Sequence, residues 1–107
     1  MAALTLTQQD NGRLVNVAKG SEILLSLPEN PTTGFRWQLD DLAGHILESG
    51  ESMFEPRSNA AGAAGVRLFH FKVIGEGETK VRAKHWRQWE GDSSVTERFE
   101  VTVKVAH

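Results

Sequence analysis

The sequence has no cysteine among its 107 residues. It can therefore form no disulfide, carries no thiol nucleophile and offers no thiolate metal site, and cysteine usage is silent about its compartment. Long apolar runs are missing too. No stretch approaches the roughly 18 apolar residues that a membrane-spanning helix needs, so no membrane partner is expected. Neither sign of charge is in excess. The 12 basic and 14 acidic residues leave a net charge of −2, without the basic face that a nucleic-acid partner calls for. The opening MAALTLTQQD has neither the basic start nor the apolar core of a secretory signal. The expectation is a cytoplasmic protein, or the mature form of a periplasmic or secreted one.

Signatures of catalysis are equally scarce. His45, His70, His85 and His107 show no metal-ligand spacing and have no neighbouring cluster of acidic ligands. No serine lies in a G-x-S-x-G elbow, and there is no thiol to activate. Gly75-Glu76-Gly77 lacks the third glycine and following helix of a nucleotide loop and reads as a hairpin turn. Asp40 and Asp41 sit in a loop facing water. The inventory points to a binding module, not an enzyme, with no metal and no cofactor.

What the sequence does contain is a period of two. Val95, Phe99, Val101, Val103 and Val105 alternate with Thr96, Arg98, Glu100, Thr102 and Lys104, interrupted only by Glu97 on the apolar side. Such alternation marks a half-buried strand. Val81 and Ala83, then Phe69, Phe71 and Val73, then Ile23, Leu25 and Leu27, then Phe35, Trp37 and Leu39 make further stripes. Val15 and Val17 mark a strand near the start, with a weaker candidate at residues 4–7. Met53 and Phe54 fall in a short segment whose register is open. Only residues 40–48 could host a helical turn. Composition is average for a soluble globular domain, 39% hydrophobic and 24% charged, and the length suits a single domain over residues 1–107. About seven or eight short strands separated by turn residues predict an all-β, immunoglobulin-like antiparallel sandwich, and a monomer is expected.

Connections in such a sandwich alternate between its two ends. Residues 28–34, 57–65 and 87–94 are every second connection, so all three loops are expected at one end, as in antibody variable domains. Asn30-Pro31-Thr32-Thr33-Gly34 joins a proline with fixed φ, two threonines stiff at χ1 and a glycine free to take positive φ. A loop so restricted loses little entropy on binding, although it also reads as a plain tight turn. Gly62-Ala63-Ala64-Gly65 offers backbone with almost no side chain, either to pair with another chain or as a mobile tip. In the third loop, Trp89 lies past the end of its strand beside Arg87, the composition of a binding hot spot; folding back over the sandwich end is the competing reading. Trp37 and His85 are expected in the core, and Trp86 outside.

These loops resemble the signature of the chagasin family of cysteine-peptidase inhibitors. Asn30-Pro31-Thr32-Thr33-Gly34-Phe35 followed by Trp37 is the most specific part. Gly62-Ala63-Ala64-Gly65 is similar to the family's G-x-G-G segment, and Arg87-Gln88-Trp89 to its R-P-W segment, with Ala64 and Gln88 as departures. Residues 51–54 and 97–101 are also similar, so the likeness runs from about Gly20 to the end. The resemblance implies reversible, tight, competitive inhibition of papain-like peptidases. Thr32 and Thr33 would then cover the catalytic cysteine and histidine, the glycine-rich loop would lie along the cleft, and Trp89 would stack on an aromatic of the peptidase with Arg87 beside it. The alternative is a carbohydrate- or peptide-binding sandwich that uses Trp86 and Trp89 as a stacking platform.

Overall fold

The computed structural model describes residues 3–40, 42–50, 52–57 and 64–106. Nine strands are present among them: β1 (Ala3–Thr7), β2 (Leu14–Ala18), β3 (Glu22–Glu29), β4 (Arg36–Leu39), β5 (Leu47–Ser49), β6 (Met53–Pro56), β7 (Gly65–Val73), β8 (Gly77–Trp86) and β9 (Glu97–Ala106). One sheet has the order β1-β3-β7-β5, with β6 also paired to β7, and the other has the order β2-β9-β8-β4. The inner residues of each stripe meet between the sheets. Ile23, Leu25 and Leu27 of β3 and Phe69, Phe71 and Val73 of β7 face Val81 and Ala83 of β8 and Phe99, Val101, Val103 and Val105 of β9. Trp37 closes the core beside them at 4% exposure. Truncating a fully buried phenylalanine such as Phe71 or Phe99 to alanine costs about 3–5 kcal/mol in such a core.

The immunoglobulin-like all-β sandwich is the expected class, but the sheets are mixed; the nine strands among the described residues come close to the seven or eight expected, since two of them act as one. β1 pairs in parallel with β3, and β2 pairs in parallel with β9. The cause is a swap of sheets. After β1, a single 3-10 turn at Gln8–Asp10 carries the chain across to β2 in the second sheet before it returns to β3. β1 and β3 therefore run in the same direction, as parallel neighbours joined by a crossover must. The extra strand comes from an interruption. β5 and β6 both run antiparallel to β7, yet from Ser49↔Phe71 to Met53↔Leu68 the chain advances four residues against three. One bulged strand is thus split in two. Residues 43–47 make a single turn, with the Ile46 and Leu47 N–H groups both donating to the Ala43 carbonyl.

Because β5 and β6 behave as one strand, the alternation of connections holds. The connections β3–β4, β6–β7 and β8–β9 emerge at the same end, where Glu29 and Pro56 pair with Gly65 and Arg36 pairs with Trp86.

Candidate functional site

The first loop leaves β3 in one sheet and enters β4 in the other, and it is tied from within. Asn30 Oδ1 accepts from the Thr32 N–H at 3.0 Å and from the Thr32 hydroxyl at 2.7 Å. The Thr33 hydroxyl donates to the Asn30 carbonyl at 2.8 Å and accepts from the Phe35 N–H at 3.3 Å. Short polar side chains that bond their own backbone fix a turn in this way. Residues Pro31–Thr33 form one 3-10 turn, which leaves Thr32 and Thr33 exposed at the tip. Gly34 then turns the chain with φ +79°, a conformation that L side chains rarely adopt.

The third loop holds the first in place. Arg87 Nε and Nη2 donate to the Thr33 carbonyl at 3.1 and 3.0 Å, and Nη1 donates to Glu90 at 3.3 Å. The guanidinium also lies 4.4 Å from the centre of the Phe35 ring. This planar fork is chemistry that lysine cannot copy. Trp89 is 73% exposed, yet one edge of its indole rests against Gly34, where a Cβ would come within 2.8 Å of the ring. The Arg87 N–H donates to Ser94 Oγ at 3.0 Å, which closes the loop behind the 3-10 turn Gln88–Glu90. Gln88 itself is exposed.

Beneath the loops lies a layer of polar and aromatic groups. His85 stacks on Phe35 at 5.3 Å and lies 5.1 Å from the Trp37 ring. Its Nδ1 is hydrogen-bonded to Thr96 Oγ1 at 2.8 Å. The carboxylate of Glu29 is fully buried and accepts from Arg67 at 2.8 and 3.1 Å and from the Trp37 N–H at 3.2 Å. The Trp37 indole N–H donates to the Pro28 carbonyl at 2.8 Å.

The second loop is described only at its ends. Arg57 N–H donates to the Ala64 carbonyl at 3.2 Å, and Ala64 is exposed. Gly65 is buried against β6, where a Cβ would meet the Glu55 carbonyl oxygen and, at 2.8 Å, Pro56 Cα. A shallow depression bounded by Pro28, Asn30, Phe35, Ala64, His85 and Arg87 joins the three loops. Among the described residues, no group of three or more His, Cys, Asp or Glu side chains could hold a metal ion.

The model of the chagasin family of peptidase inhibitors, I42, matches residues 16–103. The chain belongs to that family. It is an inhibitor and not an enzyme. Chagasin of Trypanosoma cruzi is 38% identical over 107 residues, covering 92% of this chain and 94% of the relative. Among solved structures, the cysteine protease inhibitor EhICP2 of Entamoeba histolytica superposes with a TM-score of 0.84 at 19% identity, covering 99% of this chain and 97% of that one. PbICP-C, solved in complex with falcipain-2, superposes with a TM-score of 0.72 at 12% identity, covering 99% and 100%. At these identities the structural likenesses concern the fold.

For this chagasin-family chain, the structure brings Asn30, Thr32, Thr33, Gly34, Phe35, Arg87 and Trp89 into one connected group. Ala64 and Gly65 lie at its flank, whereas Gly62 and Ala63 lie outside the described residues. Pro31 takes part through the 3-10 turn. Gln88 stands where the resemblance to the R-P-W segment expects proline, but Arg87 is fastened by its bonds to Thr33, Glu90 and Ser94. Sequence reasoning missed Glu29 and Arg67. The signal was available: both occupy inward positions of their strands, in step with Leu27 and Phe69, where a charge is out of place unless it is paired.

Proposed function

We propose that this chain inhibits papain-like cysteine peptidases as a preformed wedge that fills the active-site cleft with its three loops. The observation that carries the reading is the double hydrogen bond from Arg87 to the Thr33 carbonyl. It makes the threonine tip and Trp89 a single surface before any partner arrives. Thr32 and Thr33 cover the catalytic cysteine and histidine, residues 62–65 run along the cleft through their backbone, and Trp89 stacks on an aromatic group of the peptidase. No covalent step is needed. Binding is reversible and competitive, over about 1,600 Å² in total, the usual size of an inhibitor complex. Family membership and the complex of PbICP-C with falcipain-2 support a peptidase as partner. A carbohydrate platform is not favoured. The Lys84 ammonium sits 3.6 Å over the Trp86 ring, so one face of that indole is already covered.

The test is steady-state inhibition of papain, with a serine peptidase as control. Papain alone should be inhibited, competitively and reversibly. Replacing Thr32 and Thr33 together by glutamate should abolish inhibition with little change in melting temperature, and Trp89→Ala should speed dissociation of the complex. Unchanged inhibition constants in both variants would remove these residues from the contact surface.

A further inference from the structure

The Glu29–Arg67 pair touches the stems of two loops at once. Glu29 is the last residue of β3 and leads into the first loop; the Trp37 N–H that it accepts lies in β4, just after that loop and in the opposite sheet. Arg67 lies in β7, two residues past the first residue of that strand, where the second loop ends, and its guanidinium carbon is 5.8 Å from the centre of the Phe54 ring in β6, just before that loop begins. All four stems thus meet at one carboxylate–guanidinium pair. The Glu29 side chain is 0% exposed and the Arg67 side chain 15%, and three donor atoms converge on the two carboxylate oxygens at 2.8–3.2 Å. An apolar pair of similar volume is often as stable as a buried ion pair, or more so. What the fork adds is direction: two parallel hydrogen bonds hold one arrangement of the stems and no other.

We infer that Glu29 and Arg67 are positioning residues that couple the first and second loops and set the affinity of inhibition without touching the peptidase. This rests on the proposed inhibitory function. It assigns a role to two residues outside the loop motifs, and it makes the affinity depend on a buried charge pair below the contact surface.

The test separates stability from loop geometry. The double variant Glu29→Leu/Arg67→Met keeps the volume filled and leaves no unpaired charge, but it strips the Trp37 N–H of its Glu29 acceptor, so it should stay folded with a melting temperature lowered by no more than one lost backbone hydrogen bond accounts for. Its inhibition constant for papain should nevertheless rise by about tenfold, in the middle of the range over which networked side chains couple. In the free protein, amide exchange at Thr33 and Arg57, whose N–H groups close the two loops, should quicken together. Should the double variant fail to fold, Glu29→Gln carries the same test, because it keeps the volume but turns one acceptor toward Arg67 into a donor. A folded variant that inhibits within about twofold of the parent overturns the assignment. So does quickened exchange confined to one loop. If the parent itself does not inhibit papain while both loops loosen together in the variant, the coupling stands and the inhibitory reading fails.

Discussion

Replacing Arg87 by alanine should weaken inhibition of papain by about 60- to 150-fold while the sandwich stays folded. The magnitude follows from what the side chain touches. Two donors meet the Thr33 carbonyl at 3.1 and 3.0 Å, and the guanidinium stacks on Phe35 at 4.4 Å. Hydrogen bonds to a charged group contribute about 1.5–3 kcal/mol when buried. The Arg87 side chain is 36% exposed, so solvent screening lowers each bond to about 1 kcal/mol. Stacking on Phe35 adds about 0.5–1 kcal/mol, for a sum of about 2.5–3 kcal/mol, which converts to the quoted factor. The loss should appear in the association rate, since a loosened first loop spends less time in its competent shape and apparent affinity falls by that fraction. Arg87→Lys keeps the charge but not the fork, and should fall between parent and alanine variant. The assay is the inhibition constant with its two rate constants, joined to amide exchange at Phe35 in the free protein. An alanine variant with unaltered Phe35 exchange and a faster dissociation rate would place Arg87 in direct contact with the peptidase and refute the positioning argument.

Two further outcomes test the fold around the loops. Gly65→Ala forces a Cβ into the Glu55 carbonyl and Pro56 Cα of β6; backbone cannot yield cheaply, so a loss of about 1–3 kcal/mol should lower the melting temperature by about 5–20 °C, whereas Gly44→Ala, with nothing within 4 Å, should melt as the parent does. Asp10 is held below its ordinary value of 3.8, first by the Thr7 N–H and then by Arg13. A carboxyl lowered in the folded state stabilises above its unfolded value and loses that contribution as pH falls through the folded one. Asp10→Asn should therefore lower the melting temperature at neutral pH, and the gap to the parent should close as pH drops below about 3.8; a gap independent of pH would refute the assignment.

The strands were legible because their inner faces repeat. The stripes through Val101, Phe71 and Leu25 identify β9, β7 and β3, and each is buried as its alternation requires. The placement of the three loops followed from counting connections, since the β5–β6 bulge left the parity intact. The parallel pairings were not legible. Whether β1 sits beside β3 in parallel depends on β2 crossing to the other sheet, and local propensity carries no record of such a choice. For the site, the NPTTG string showed a stiff turn, and Trp89 is indeed exposed. The clamp itself was hidden because it joins Thr33 to a residue more than fifty positions away through a backbone carbonyl, a group that every residue has.

Glu29, Arg67 and His85 share a further feature. Each occupies an inward position of its strand, in step with Leu27, Phe69 and Ala83 respectively, and all three lie toward the end from which the loops emerge. The apolar filling of the sandwich thus gives way, under the loops, to paired polar groups: Glu29 with Arg67, and His85 with Thr96, its Nδ1 3.8 Å from the half-exposed Glu97. Short loops cannot bury enough apolar surface to become rigid by themselves. Their order must come from directional bonds anchored in the sheets, and a satisfied buried network specifies a single arrangement where an apolar one tolerates several. Rigidity gained before binding lowers the ordering entropy lost at the interface. On the proposed function, the affinity should therefore depend on the layer beneath the loops as well as on the residues at their tips.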